Sequence, residues 1–521
     1  MKGLSQNNKI ALFVLLLCAG FLRLYAPLQY PLAINQDELN NVYDGWSIAQ
    51  TGQDRWQTPN PFIVRGLGDG DNRPALQAYI IAAAFKITGY NVAVGRSINA
   101  VLALLSLYLL FLFVKNSFGV KTAFVGLTVG VFSAWHILFS RMAHEGAVLP
   151  FLFSILILYL WQKYRAANYT HRLGIFILAF VVGFSANAYQ ATKISALLFC
   201  IAITIDVWLK QKKILPILLI GLGGFLGAFP QLYTLWVNPD AFFARAQTQT
   251  IAFDSISSIG ILLRNFALNF EPVYLFFSSG EHNNLSIYRL YPVETVFFYI
   301  GLILLVLNYK KLNAKFPLGF IAFAVFAVVL PAALTFANPS ALRASGFVIF
   351  APICTALGWV FCIGLIKNKK TAQIAHYIGL VVLVTYCSYT AYSYHQSLDL
   401  RNRNQQHYLV SAYQKLNSYK DNYPKIFIEN TTGESYLYLI SFCNIEPKEF
   451  QTMQKDYAKM EFDDFRSLGK YYFVRADNLP QSIEQIAPND RVLVVSQTKF
   501  EGLKLIDSSD FAYPRFYLME H

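Results

Sequence analysis

The sequence predicts an α-helical protein that crosses a membrane many times and ends in a small α/β domain. Three observations predict it. Of 521 residues, 55% are hydrophobic and only 14% are charged, where a soluble chain carries about 25% charged residues. Aromatic residues reach 16%, with 44 Phe and 32 Tyr. The net charge of +13 is also unevenly placed: from His395 onward there are 15 Lys/Arg against 17 Asp/Glu, while the first 394 residues hold 28 against 13. A basic surplus confined to the apolar part follows the positive-inside rule, not nucleic-acid binding. A soluble enzyme, a disordered chain and a disulfide scaffold are all excluded.

Eleven apolar runs have the length to cross ~30 Å of hydrocarbon: residues 10–28, 97–114, 122–139, 147–161, 173–188, 194–209, 214–236, 293–307, 316–336, 346–366 and 374–394. No small-residue cleavage site follows the first, so it reads as a retained anchor. Alternate connections carry Lys2 and Lys9; Lys115 and Lys121; Lys163, Arg165 and Arg172; Lys210, Lys212 and Lys213; Lys310, Lys311 and Lys315; Lys367, Lys369 and Lys370. They hold no acidic residue, which places them and the N-terminus in the cytoplasm. The long connections 30–96 and 237–292 then face outward, as does the tail. The expected organisation is a membrane domain over 1–394, including those two outer loops, and an exterior domain over 395–521. Five cysteines lie in the spans and Cys443 stands in the tail, so no external disulfide framework is expected.

In the tail, short β-rich runs at 425–429, 436–442, 470–474 and 491–496 alternate with polar segments at 451–468 and 479–486 that suit helices. That alternation predicts an α/β layer.

Candidate chemistry gathers at the outer ends of the spans. QDELNNVYDGWSIAQTGQD (36–54) puts Asp37 and Glu38 just beyond the first span, DNRPALQAYI (71–80) carries Arg73, and Arg96 begins the second span. The next outer turn, SRMAHE, holds Arg141, His144 and Glu145; YQATK holds Tyr189 and Lys193; Arg245 and Arg264 lie in 237–292, and NPSALR ends in Arg343. Each has a plainer reading. Cations such as Arg23, Arg96 and Arg264 snorkel at span ends, Asp206 faces the membrane interface, His136 and His144 serve packing or hydrogen bonding, and Asp69-Gly70-Asp71 makes a turn. No metal site or cofactor is expected, although divalent-metal dependence is left open. Taken together, several cations and two carboxylates at one leaflet suit a phosphate-bearing lipid. Arg and Lys hold the phosphate, and a carboxylate takes a proton from a nucleophile.

The order DE, RPAL, SAWHILFSRMAHE, NPSALR resembles the GT-C membrane glycosyltransferases of the protein O-mannosyltransferase and aminoarabinose transferase type, over roughly residues 10–366. The resemblance implies transfer of a sugar from a polyprenyl-phosphate donor to an acceptor on the outer membrane face, with inversion. It implies that Asp37 is the catalytic base with Glu38 beside it, and that Arg73 touches the carrier phosphate. Glu145 would line the acceptor side, with Arg141, Lys193, Arg245 and Arg343 as further phosphate contacts and Arg96 and Tyr189 nearby. Relatives with Lys-Pro-Pro-Leu where this chain has Arg-Pro-Ala-Leu keep the charge but not the head-group geometry. A polyprenyl-linked oligosaccharide ligase or polymerase fits the same residues. A lipid-glycan flippase or transporter would place its charges nearer mid-membrane.

Overall fold

Every one of the eleven apolar runs forms helix, as it must where hydrocarbon offers the backbone no other partner. The computed structural model describes residues 4–29, 34–66, 71–277, 289–312, 314–396, 407–430, 435–453, 467–509 and 515–521. The chain divides into two units, Met1–Tyr25 with Asn99–Gln396, and Ala26–Ile98 with Ser397–His521.

The helices of the apolar region are α1 Gln6–Leu24, α2 Gln36–Thr51, α3 Leu76–Thr88, α4 Val92–Phe118, α5 Val120–Phe132, α6 Ala134–Ser140, α7 Leu149–Ala166, α8 Arg172–Ser185, α9 Thr192–Gln211, α10 Ile214–Val237, α11 Pro239–Gln249, α12 Ile256–Leu268, α13 Thr295–Val306, α14 Leu318–Ala333, α15 Ala351–Gly364 and α16 Lys369–Gln396. Among the described residues six helices, α15 counted with its preceding turn, are long and apolar enough to cross a bilayer, and α5 with α6 makes a seventh span bent by 58°. The four other expected spans fall on α7, α8, α13 and α14, which run 18, 14, 12 and 16 residues, at or below the ~20 that a straight crossing takes. The chain is a multi-pass membrane protein with a helical body.

In the first unit, close helix contacts use glycine, as bilayer packing favours. A Cβ on Gly301 of α13 would stand 1.8 Å from the Cys354 carbonyl oxygen of α15, and one on Gly358 would stand 1.9 Å from that of Phe297. The bend between α5 and α6 sits at Ser133, whose side chain caps α6 by accepting from the His136 backbone N–H. The carbonyls freed there are taken up by Arg23: Nη1 donates to Val131 O at 3.1 Å and Nη2 to Gly130 O at 3.1 Å. Arg23 is therefore fully buried, not snorkelling, because a broken helix offers it carbonyls in place of water. Asp206 is also buried rather than interfacial: it accepts from Trp161 Nε1 at 2.9 Å, from Arg165 Nε and from the Tyr169 hydroxyl.

In the second unit a six-stranded sheet has the order β4-β5-β3-β6-β8-β7, where β3 is Lys425–Glu429, β4 Ser467–Leu468, β5 Tyr471–Val474, β6 Val492–Ser496, β7 Lys504–Ser508 and β8 Tyr517–Glu520. Strands β5, β3 and β6 are parallel and the others antiparallel. The unit also holds α17 His407–Tyr419, α18 Ser435–Phe442, α19 Pro447–Met453 and α20 Leu479–Ile486, and a two-stranded ribbon of β1 Ile63–Arg65 with β2 Asn72–Pro74. The run 436–442, expected as a strand, is helix. All its residues are buried, and its almost wholly apolar sequence carries no helical period. Most of the expected helix 451–468 lies outside the described residues.

The first long connection, expected to belong with the membrane helices, instead packs on the tail. α2 buries every residue from Glu38 to Ile48. The Tyr43 hydroxyl donates to Ile445 O at 2.8 Å, the Tyr438 hydroxyl to Ile34 O at 2.7 Å, and Gln451 Nε2 to Ser47 Oγ at 3.0 Å. Phe450 meets Tyr43 and Trp56 edge-on. A helix so deeply buried needs two partners, and the tail supplies one of them beside α3.

Candidate active site

In the second unit, α2 presents the acidic pair at its N-terminus. Asn35 caps the helix by accepting from the Glu38 backbone N–H at 2.9 Å, and carboxylates in the first turn suit the helix dipole. The two acids then diverge. Asp37 meets Arg73: Nη2 lies 2.6 Å from Asp37 Oδ1 and also 2.5 Å from Asp71 Oδ2. Glu38 turns inward to Arg96, which donates from Nε and Nη2 to its two oxygens at 2.8 Å each and from Nη1 to Pro27 O. Asp37 keeps 30% of its side-chain surface exposed, whereas Glu38 and Arg96 keep 2% and 1%. One carboxylate of the pair is partly exposed and the other is buried in an ion pair.

Behind them, Asp44 and Arg55 form a fully buried pair at 2.7 Å. Burial pushes the Asp44 carboxyl up, against the pull of Arg55. Arg55 also donates to Arg65 O and Gly66 O, and the rings of Trp56 lie under the Arg55 and Arg65 guanidinium groups. This fastens β1, and with it β2 and Arg73, to α2. Sequence reasoning missed Asp44, Arg55 and the contact of Asp71 with Arg73. A signal was present: Asp44 is seven residues beyond Asp37, on the same helical face.

In the first unit, Arg141 follows α6 and donates from Nη1 to Leu22 O at 2.9 Å and from Nη2 to Tyr25 O at 2.6 Å, closing the end of α1. Glu145 is buried beside His144 (Nδ1 to Oε2, 3.4 Å). Tyr189 covers this turn, with its ring against Gly146 and edge-on to His144. Lys193 lies over the Phe242 ring, 3.8 Å from its centroid, and Arg245 is exposed on α11. Arg343 donates to Thr335 Oγ1, Ala337 O and Gln249 Oε1. It lines a small, partly open pocket walled by Pro150, Phe153, Ile157, Phe199 and Val328, with Ser154, Ser185, Thr192 and Ser195. The structure thus joins Asp37 to Arg73, Glu38 to Arg96 and Tyr189 to the Glu145 turn. Among the described residues, no group of three or more His, Cys, Asp or Glu is arranged to hold a metal ion; Asp69 and Gly70 lie outside them.

Residues 72–233 match the family described as dolichyl-phosphate-mannose-protein mannosyltransferase. No curated protein matches the chain at a significant level. The fold is similar to that of ArnT from Cupriavidus metallidurans bound to undecaprenyl phosphate, with a TM-score of 0.60 at 9% identity over 99% of this chain and 98% of that one. It is also similar to the oligosaccharyltransferase of Archaeoglobus fulgidus in its apo form, with a TM-score of 0.50 at 12% identity over 94% of this chain and 69% of that one. The fold is GT-C, a helical membrane body with a small C-terminal sheet region.

Proposed function

We propose that this GT-C chain transfers a sugar from a polyprenyl-phosphate donor to an acceptor hydroxyl, with inversion at the anomeric carbon. The observation that carries the reading is the Asp37–Arg73 contact, a partly exposed carboxylate beside a guanidinium on a fold shared with a protein crystallised with undecaprenyl phosphate. In this reading the acceptor oxygen attacks the anomeric carbon and gives its proton to Asp37. The bond from that carbon to the phosphate oxygen breaks, and its electron pair leaves with the phosphate. Arg73 stabilises the charge that develops there. Arg343, beside a small apolar-walled pocket, is a further phosphate contact in this reading. Glu145, under Tyr189, serves the acceptor side. Arg141 and Lys193, already engaged with carbonyls and a ring, act mainly as framework cations, and Arg245 as an outlying one.

The decisive experiment is mass spectrometry of envelope glycans and polyprenyl phosphates from cells with and without the protein. Loss of the protein is expected to make one polyprenyl-phosphate sugar accumulate and to remove that sugar from one acceptor; unchanged profiles would sink the reading. Orientation is part of the proposal. A reporter fused after residue 213 or 370 is expected in the cytoplasm and one at the C-terminus outside, and a cytoplasmic C-terminus would put Asp37 on the wrong face.

A further inference from the structure

Arg73 meets two carboxylates with a single nitrogen. Nη2 lies 2.6 Å from Asp37 Oδ1 and 2.5 Å from Asp71 Oδ2, and the Arg73 side chain is only 6% exposed. The two carboxylates therefore share one corner of the guanidinium. A donor phosphate arriving at Arg73 adds a third anion, and charge repulsion then favours losing one carboxylate from the guanidinium.

The two carboxylates are not equally free to leave. Asp71 is 12% exposed against 30% for Asp37. Asp71 also lies flush on Gly66: a Cβ there would fall 2.0 Å from Asp71 Oδ2, and the Gly66 backbone N–H donates to Asp71 O. It sits at the foot of the β1–β2 ribbon, whose register pairs Arg65 with Asn72. Asp37 occupies the first turn of α2 and is the more exposed of the two. Glu38, next to Asp37 in the chain, is turned onto Arg96.

We propose that the donor phosphate displaces Asp37, and not Asp71, from Arg73, so that Asp71 is the positioning residue that holds the guanidinium while Asp37 is released as the base. The proposal rests on the donor reading above. Its consequence is chemical. A carboxylate held against a guanidinium is a weak base, and the same carboxylate without its cation holds a proton more firmly. Asp37 gains basicity only when a donor is present to be attacked.

The test is a binding titration of the purified full chain with undecaprenyl phosphate as the probe. Asp37→Asn and Asp71→Asn each remove one negative charge at nearly the same distance from the same nitrogen, so charge alone predicts equal tightening. Exchange predicts that Asp37→Asn tightens binding about tenfold, the order of one charge-assisted hydrogen bond, while Asp71→Asn leaves it unchanged or weakens it. Asp71→Glu keeps the charge but loses the seat on Gly66 and is expected to weaken binding; it serves should Asp71→Asn fold poorly. In an Arg73→Ala background the Asp37→Asn effect is expected to vanish. Equal tightening by the two Asn variants, or no loss with Asp71→Glu, overturns the exchange and leaves the donor site standing. If the wild-type chain does not bind the probe, or Arg73→Ala binds it as well as wild type, the donor reading fails at Arg73 and the exchange fails with it.

Discussion

Asp37→Asn is expected to lower sugar transfer by about 10²–10⁴-fold, the usual contribution of a general base, in protein that is correctly inserted and monodisperse. Asparagine keeps the size and the hydrogen-bonding shape of the side chain but cannot take the acceptor proton. The residue is 30% exposed in the first turn of its helix, and its loss strands no buried charge, because Arg73 keeps Asp71. Stability is therefore expected to change little, which separates a chemical defect from a folding one. The measurement is the single-turnover rate at saturating donor, using the donor that accumulates in cells lacking the protein. A rate near wild type removes Asp37 from the chemistry and makes Glu145 the next candidate.

Much of the fold was legible because a bilayer makes stringent demands. Long apolar runs must be helices, and basic residues gather in alternate connections. What escaped was whatever tertiary contact supplies. No proline marks the break at Ser133, and the Arg23 that fills it looks like any cation at a span end until the freed carbonyls of Gly130 and Val131 are in view. The tail run 436–442 is almost wholly apolar, which leaves period-based reading with no face to choose. The grouping of the first long connection with the tail depends on single contacts, such as Tyr438 to Ile34 O, that leave no trace in composition. At the candidate site, the Asp-Glu pair and Arg73 were visible as residue types in order. Their division of labour was not, because adjacent helix positions point about 100° apart and only packing decides which one is presented.

That division gives the second large expectation, which concerns stability. Arg96→Ala is expected to destabilise the protein by about 3–5 kcal/mol, the usual cost of breaking a buried ion pair from one side. Glu38 receives both of its 2.8 Å hydrogen bonds from Arg96, and the two side chains are 2% and 1% exposed. Removing the guanidinium leaves a carboxylate in a site that water does not reach. Arg96→Lys keeps the charge but not the two-pronged geometry and is expected to fall between. Glu38→Gln leaves Arg96 the Pro27 carbonyl and an amide oxygen, so its loss should be smaller. The double variant Arg96→Met with Glu38→Gln removes both charges, and it is expected to recover much of what Arg96→Ala loses. Thermal unfolding of the purified variants, read alongside transfer activity, decides the matter. A large stability loss in Arg96→Ala with activity surviving in Glu38→Gln identifies Glu38 as the anchor of the helix that presents Asp37. Unchanged stability in Arg96→Ala, with transfer abolished in Glu38→Gln, would instead return Glu38 to the chemistry.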